Sequence, residues 1–224
     1  MTLLLKSLTT VMSNKLLNAV IIGSLLTFFS ATSVNANLVV NGSFEVNATG
    51  PSIGGGNGWK YYAANNLSGW DGSNIELWGT LGIDSYEGGY HAELNAHGQR
   101  RKNGAWSISQ TFETIAGQSY DLFFAYSARL GNANNSVESF SVAVDGLFHV
   151  LDDHVVGNWS TFSSSFIADD NTATLTFTSR SQNRWTYGNF IDDVRVSAVP
   201  EPTSFALLAL GLIGLGATRK KAKA

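Results

Sequence analysis

Apolar and polar residues alternate with a period of two through most of the chain, and this alternation is the feature that most constrains its fold. In residues 172–178, Ala173, Leu175 and Phe177 alternate with four threonines. The same pattern runs through residues 106–113 and 139–144. A period of two sends successive side chains to opposite faces, so each segment predicts a strand with one buried face. A helical stripe of period 3.6 is not convincing in any window, which argues against a helical core.

Turn-forming clusters divide these segments. Glycine, asparagine and aspartate are concentrated in residues 54–58, 88–89, 131–135 and 169–171. Further strands are predicted over residues 38–41, 74–78, 90–94, 120–129, 159–167 and 190–197. Roughly nine or ten antiparallel strands in one domain predict an all-β fold, a single antiparallel β-sandwich of jelly-roll type. No internal repeat indicates a propeller, and no boundary indicates a second folded domain.

Residues 1–36 are typical of a secretory signal peptide. Lys6 and Lys15 give a positive start, and an apolar stretch follows over residues 16–29. Small residues at Val34 and Ala36 predict cleavage by signal peptidase before Asn37. The alternative is an uncleaved membrane anchor, which the short apolar core disfavours because a spanning helix needs about 20 residues.

The C-terminal segment, residues 199–224, also combines an apolar stretch with basic residues, but here the basic residues follow the apolar stretch. An uncharged stretch over residues 203–218 is too short to cross a hydrocarbon core of about 30 Å comfortably. We therefore expect a short apolar helix that anchors the chain to the membrane transiently, rather than an amphipathic helix packed on the domain. The stretch is flanked by Pro200, Glu201 and Pro202 before it, and by Arg219, Lys220 and Lys221 after it.

This order of Pro-Glu-Pro, apolar span and basic tail resembles the PEP-CTERM sorting signal of exopolysaccharide-producing Gram-negative bacteria. The resemblance implies processing by an exosortase. It also implies transit through the inner membrane and delivery to the cell surface or the extracellular matrix. The signal is silent on what the folded domain does there.

The charge of the domain between these ends, residues 37–198, differs from that of the whole chain. The whole chain has a formal charge of −3, but six of its cations and one acid lie in the terminal segments, which leaves the domain at −8. An acidic domain disfavours nucleic acid as a partner, because phosphates require a basic surface. The absence of cysteine excludes disulfides, cysteine-ligated zinc and a thiol nucleophile.

Both ends of this domain carry a second resemblance. Asn37-Leu-Val-Val-Asn-Gly-Ser-Phe-Glu45 is similar to the opening of galactose-binding-domain-like jelly rolls, and Phe190-Ile-Asp-Asp-Val-Arg-Val196 is similar to their closing strand. Ile108-Ser-Gln-Thr-Phe112 and Ala116-Gly-Gln-Ser-Tyr120 resemble the middle. The group includes carbohydrate-binding modules, which implies a polysaccharide partner. It also implies a structural calcium ion that ties the first loop to the last strand.

The closing strand contains the candidate metal ligands. Strict alternation places Phe190, Asp192, Val194 and Val196 on one face. If that face is inward, Asp192 is a buried carboxylate that needs a partner. The resemblance implies calcium held by Glu45 and Asp192, with Asp193 replacing Asp192 if a bulge shifts the register. The alternative is a carboxylate satisfied by backbone N–H groups or by Arg195.

Aromatic residues near glycine-rich loops are the candidate sugar-binding residues, because sugar C–H faces pack on aromatic rings. Ordinary sandwich core is the alternative for each of them, and we favour core for Trp106 and Trp159, which begin predicted strands. The predicted carbohydrate-binding set is Trp59, Trp70, Tyr90, Arg184, Trp185 and Tyr187.

Signs of catalysis are weak. His91 and Glu93 share a strand face, which suits a metal site or an acid–base pair, but no third ligand has a telling spacing. No nucleophile elbow, HExxH motif or phosphate loop is present. We therefore predict a non-catalytic, exported, carbohydrate-binding protein of the cell surface or matrix. The alternative is a structural biofilm protein without a saccharide site, and a glycan-cleaving enzyme is a disfavoured third.

Overall fold

The computed structural model describes residues 36–45, 48, 50–52, 54–79, 83–94, 106–129, 139–153, 155–180, 188–200 and 211. All of them lie in one compact unit, residues 35–224. The predicted signal helix and the predicted C-terminal apolar helix fall outside these residues, apart from Gly211. So do Glu201, Pro202 and the basic tail, whereas Pro200 is exposed at the end of the described domain. Within the described part of the chain, no helix is long and apolar enough to span a membrane.

The described residues form an antiparallel β-structure with one short 3-10 helix, Ala64–Asn66. The strands are β1 Gly54–Gly56, β2 Trp59–Tyr62, β3 Asp71–Gly72, β4 Ile75–Trp78, β5 His91–Glu93, β6 Ser107–Glu113, β7 Ser119–Ala128, β8 Phe140–Val144, β9 Leu147–Leu151, β10 Ser160–Ile167, β11 Thr172–Ser179 and β12 Asn189–Ala198. They form a seven-stranded sheet in the order β1-β2-β4-β5-β12-β7-β10 and a five-stranded sheet in the order β3-β6-β11-β8-β9.

The two sheets pack face to face, which confirms the predicted β-sandwich. Alternate residues of each sheet enter one hydrophobic core, where Phe124 lies against Phe140 and Phe177. In β11 the three apolar residues of the Thr-rich segment are buried, as their alternation predicts. The core follows from local patterning because a strand with one apolar face must cover that face with another sheet.

The chain start differs from the predicted strand at 38–41. Residues 40–43 form a turn instead, and Asn41 and Phe44 adopt the left-handed conformation at φ 53° and 59°. The segment is nevertheless fixed to β12, because Leu38 N–H donates to Val196 O at 2.8 Å and Val194 N–H donates to Gly42 O at 3.0 Å. The glycine-rich residues 54–58, predicted as a separator, instead contribute β1 and the turn to β2.

Strict alternation in β12 is wrong beyond Asp192. The register against β7 shifts between Asp192 and Arg195, which is a β-bulge, and Asp193 has φ 50°. Val194 and Val196 therefore enter the core, whereas Phe190 and Asp192 lie outside the core cluster. The extra residue of a bulge reverses the parity of every residue that follows it.

Candidate functional site

A cleft of about 490 Å³ lies beside the β1–β2 hairpin, and it brings together two of the predicted sugar-binding residues, Trp59 and Tyr90. Trp59 begins β2, and Tyr90 immediately precedes β5. Lys60, Phe44 and Tyr62 also line the cleft. A concavity of this size, with aromatic walls and a few polar groups, is typical of small-ligand sites.

Glycines allow the hairpin to form the wall of this cleft. Gly58 turns the chain between β1 and β2 with φ 83°, a conformation that costs glycine little. A Cβ atom at Gly56 would lie 2.7 Å from Trp59 Nε1, so the indole packs where a side chain on β1 would be. The lack of a side chain at Gly56 therefore leaves the space that the Trp59 ring occupies.

The other wall depends on the segment that ends at Tyr90, residues 84–90, which we call the clamp loop. Tyr90 is 44% exposed. The Glu45 Oε1 atom accepts hydrogen bonds from Gly89 N–H at 2.8 Å and Tyr90 N–H at 2.7 Å. The Asp192 Oδ2 atom accepts from Tyr86 N–H at 2.9 Å and Glu87 N–H at 3.0 Å. Two carboxylates therefore hold one loop by its backbone.

The environment of Asp192 is unusual for an acid. Burial raises the pKa of its carboxyl to about 7, although N–H donors from Glu87, Asp193 and Tyr86 act in the opposite direction. The charge of the adjacent Asp193 raises it further. The Asp193 carboxylate itself pairs with Arg195.

These contacts test whether the predicted calcium ligands suit a cation. Asp192 and Glu45 accept backbone N–H bonds, and Asp193 pairs with a guanidinium, which are the alternatives to a metal. Among the described residues, no group of three or more His, Cys, Asp or Glu could hold a metal ion. Calcium requires about six to eight oxygen ligands. The calcium ion therefore remains a prediction.

Next to the cleft, the seven-stranded sheet turns a second face away from the core, which we call the outer face. Trp59 stacks on Trp78 with ring centroids 6.0 Å apart, and on Tyr61 at 6.3 Å. The Arg129 guanidinium lies 4.5 Å from the centroid of the Trp78 ring. Cation–π contact and stacking thus hold these side chains in one row that reaches the cleft.

Sequence reasoning missed a buried acidic pair under this row. Glu76 and Glu93 are paired across β4 and β5, and both side chains are fully buried. Arg129 Nη1 contacts Glu93 Oε1 at 3.2 Å, Gly188 N–H donates to the same oxygen at 2.7 Å, and Trp78 Nε1 donates to Glu76 Oε2 at 3.2 Å. Burial raises the pKa of Glu93 well above its usual range; Arg129 opposes this and Glu76 adds to it. The sequence signal that could have revealed this pair is Glu76, a charged residue inside the otherwise apolar segment 75–78.

His91 and Glu93 share the outer face, as predicted, but they contact different groups. His91 Nδ1 lies 3.0 Å from Ser85 Oγ, and its ring packs edge-on against Phe190 and Trp159. His91 Nε2 is buried, and none of the described residues gives it a hydrogen-bond partner. Burial lowers the pKa of His91 to about 4, so the imidazole is neutral at physiological pH.

Of the remaining predicted sugar-binding residues, the structure describes only Trp70, and it places Trp70 in the core. Trp70 is 3% exposed, and its ring packs between Phe44 and Phe177 in the core. Its Nε1 donates to Asn41 O at 3.1 Å, so the indole is satisfied inside the protein. The prediction for Trp70 is therefore wrong, because a sugar ring cannot reach it. Arg184, Trp185 and Tyr187 lie outside the described residues.

Comparison with known families gives two matches that together span most of the chain. Residues 37–197 match the family described as "Protein of unknown function (DUF642)". Residues 198–221 match the PEP-CTERM protein-sorting motif, which confirms that prediction and implies exosortase processing and surface sorting. No curated protein sequence matches the chain.

Several solved structures are similar in fold at low sequence identity. The CBM22-1 xylan-binding domain of Xyn10C from Paenibacillus barcinonensis is 12% identical, with 77% of this chain and 100% of that chain covered and a TM-score of 0.44. TmCBM61 in complex with beta-1,4-galactotriose is 17% identical, with 73% and 99% covered and a TM-score of 0.41. The Stig cyclase Fisc from Fischerella sp. TAU is 15% identical, with 75% and 99% covered and a TM-score of 0.48.

Proposed function

The chain belongs to the DUF642 family and carries a PEP-CTERM sorting motif, and we propose that it is a non-catalytic protein that binds polysaccharide at the cell surface or in the extracellular matrix. The proposed route runs through the inner membrane of a Gram-negative bacterium, with removal of the signal peptide and exosortase processing. The proposed binding site is the cleft that Trp59 and Tyr90 line.

The observation that carries this proposal is that Trp59 and the exposed Tyr90 line the same cleft. Aromatic rings offer apolar faces to sugar C–H groups, and the Tyr90 hydroxyl can exchange hydrogen bonds with sugar hydroxyls. Lys60 adds a donor at the same wall. The net charge of the domain, −8, suits a neutral glycan better than a strongly anionic polymer.

The arrangement of Glu76 and Glu93 supports a binding role over glycan cleavage. Glycosidases need two carboxyl groups on either side of the scissile bond, about 5 to 9.5 Å apart. Glu93 instead shares a hydrogen bond with Glu76, and both are fully buried. A sugar cannot be inserted between groups that are bonded to each other.

Isothermal titration against a panel of neutral and matrix polysaccharides tests the proposal. We expect at least one to bind, and we expect Tyr90→Ala and Trp59→Ala to weaken that binding about tenfold or more. Phe148→Ala is the matched control, because Phe148 is a 62% exposed aromatic on the other sheet. No binding to any polysaccharide, or equal losses in all three variants, would contradict the proposal.

The alternative is a structural matrix protein that acts through adhesion or self-association. One observation favours it: β10 is the edge strand of the seven-stranded sheet, and its eight residues carry no charge. Natural edge strands are usually protected by charges, prolines or bulges, since open edges pair with other chains. Under this alternative Ser163→Lys on β10 reduces self-association, whereas Thr172→Lys on the internal strand β11 does not. Polysaccharide binding would be absent in both variants.

A further inference from the structure

The Glu45 side chain joins the first segment of the domain to the clamp loop at the point where the loop enters the cleft. Its Oε1 atom accepts from the N–H groups of Gly89 and Tyr90, at 2.8 and 2.7 Å. Charge-assisted bonds of this kind are stronger than those between neutral groups. Glu45 therefore fixes the backbone of Tyr90 directly, 45 residues away along the chain.

The segment that carries Glu45 is itself anchored. Gly42 O accepts from Val194 N–H of β12 at 3.0 Å, and Asn41 O accepts from Trp70 Nε1 at 3.1 Å. Phe44, which directly precedes Glu45, stacks on the buried Trp70 ring with centroids 5.3 Å apart. The carboxylate thus projects from a segment held by both the sheet and the core.

Gly88 shows how closely the clamp loop approaches this carboxylate. Gly88 has φ 66°, which disfavours any side chain. A Cβ atom built at Gly88 would clash with the Glu45 carboxyl carbon. The loop therefore reaches its position only with glycine here, which makes the contact a built feature of the cleft wall.

Asp192 binds the same loop nearer its start, where its carboxylate accepts hydrogen bonds from Tyr86 and Glu87. Four backbone N–H groups of the clamp loop are thus bound by two carboxylates, one near each end of the domain sequence. Of these two carboxylates, Glu45 is the one bonded to the clamp-loop residues that line the cleft, Gly89 and Tyr90. This difference separates the role of Glu45 from that of Asp192.

We propose that Glu45 is a positioning residue for ligand binding: it holds Tyr90 in the orientation that the cleft requires, without touching the ligand. The inference rests on the proposed polysaccharide site. Tyr90 makes the contact with the sugar, and Glu45 removes the cost of ordering Tyr90 when the sugar binds.

Binding by variants, measured in EDTA so that a cation cannot account for the effect, tests the proposal. Against the polysaccharide that binds best, we expect Glu45→Ala to weaken affinity about tenfold. Glu45→Gln should retain most of the affinity, because its amide oxygen still accepts the two N–H bonds. Asp121→Ala is the matched control, since Asp121 is an exposed carboxylate on the distant strand β7. Equal losses in Glu45→Ala and Asp121→Ala would overturn the proposal.

A double-mutant cycle distinguishes positioning from a general structural effect. If Glu45 acts through Tyr90, adding Glu45→Ala to Tyr90→Ala produces no further loss of affinity. Independent, additive losses would overturn the proposal while leaving the proposed function intact.

Amide hydrogen exchange gives a readout that does not require a ligand. We expect Glu45→Ala to speed exchange at Gly89 and Tyr90 more than at Tyr86 and Glu87, which Asp192 still binds. Unchanged exchange at Tyr90 would overturn the positioning role. If the wild-type protein binds no polysaccharide, the proposed function fails, and the exchange result alone decides whether Glu45 orders the loop.

Discussion

Glu76 and Glu93 lie directly opposite each other on β4 and β5, fully buried and hydrogen-bonded to each other. Like charges at opposed positions of two strands are destabilising. Arg129 and the Gly188 N–H group both bind the Glu93 carboxyl group and so stabilise the pair. Burial also raises the pKa of Glu93 well above its usual range. The raised pKa of Glu93 favours its neutral form, which weakens the repulsion between the two side chains.

Replacing Glu76 by glutamine should change how stability depends on pH. Glu93 has a raised pKa in the folded state, so its stabilising contribution is complete below about pH 4.5 and is lost as pH rises toward the folded value. Burial is the main cause of the raised pKa of Glu93, and Glu76→Gln removes the smaller contribution of the Glu76 charge, so the loss becomes smaller. We expect the variant to gain on the order of 1 kcal/mol relative to wild type between pH 5 and pH 9.

Thermal melts over this range measure the effect, and Glu113→Gln is the control because Glu113 is an exposed acid on the other sheet. A gain of that size corresponds to about 2–4 °C for a domain of this length. Melting curves for Glu76→Gln and wild type that stay parallel at all pH values would contradict the coupling between the two carboxyl groups.

His91 should affect the free energy of unfolding in the opposite way to Glu93, because its contribution is lost as pH falls. Burial lowers its pKa from 6.5 to about 4, so its contribution is complete above about pH 6.5 and is lost as pH falls toward 4. His91→Phe, which suits the aromatic neighbours, should remove part of this acid loss, up to about 3 kcal/mol. The comparison is with His149→Phe, an exposed histidine on β9. An unchanged acid slope in His91→Phe would show that other groups cause the loss.

Alanine substitutions of Trp70 and Tyr90 should differ strongly in their effect on stability. Trp70→Ala removes a core ring and leaves Asn41 O without its indole donor, so we expect a loss of about 3–5 kcal/mol in the free energy of unfolding. Tyr90→Ala should cost less than about 1 kcal/mol, since exposed side chains contribute little to stability. Urea unfolding monitored by circular dichroism gives both values. Similar losses would mean that Tyr90 is part of the core.

Asp193 should tolerate asparagine better than valine. Its φ of 50° is accessible to asparagine but strained for a β-branched residue. Both substitutions remove the charge that pairs with Arg195, so their difference isolates the backbone effect. We expect Asp193→Val to be less stable than Asp193→Asn by about 1–3 kcal/mol in urea unfolding. Equal stabilities would argue that the bulge does not depend on this conformation.

Calcium is tested by melting with and without chelator. The sequence resemblance predicts that EDTA lowers the melting temperature and that added Ca²⁺ restores it, because a ligand of the native state stabilises by mass action. Glu45→Ala should then abolish the response. A melt that EDTA leaves unchanged would contradict calcium binding and would leave the backbone N–H bonds as the sole partners of Glu45 and Asp192.

The fold class, the main strands and the C-terminal sorting motif could all be predicted from the order of residues along the chain. Alternation in a segment such as Thr172–Ser179 is local, because each residue's face depends only on its neighbours along the strand. The C-terminal sorting motif is likewise a short continuous stretch of chain, and the family match over residues 198–221 confirms its prediction. Strand ends were predicted within a residue or two for β4, β7 and β10.

In contrast, the aromatic residues that line the cleft and the carboxylates that meet became known from the folded chain alone. Trp70 and Trp59 have similar glycine-rich surroundings in sequence, yet one is in the core and the other lines the cleft. Whether Asp192 and Val194 share a face depends on a bulge that alternation does not reveal. The partner of Glu76 depends on how β4 and β5 pair in register. Register, bulges and loop approach are set by contacts between distant segments, and local patterning does not encode them.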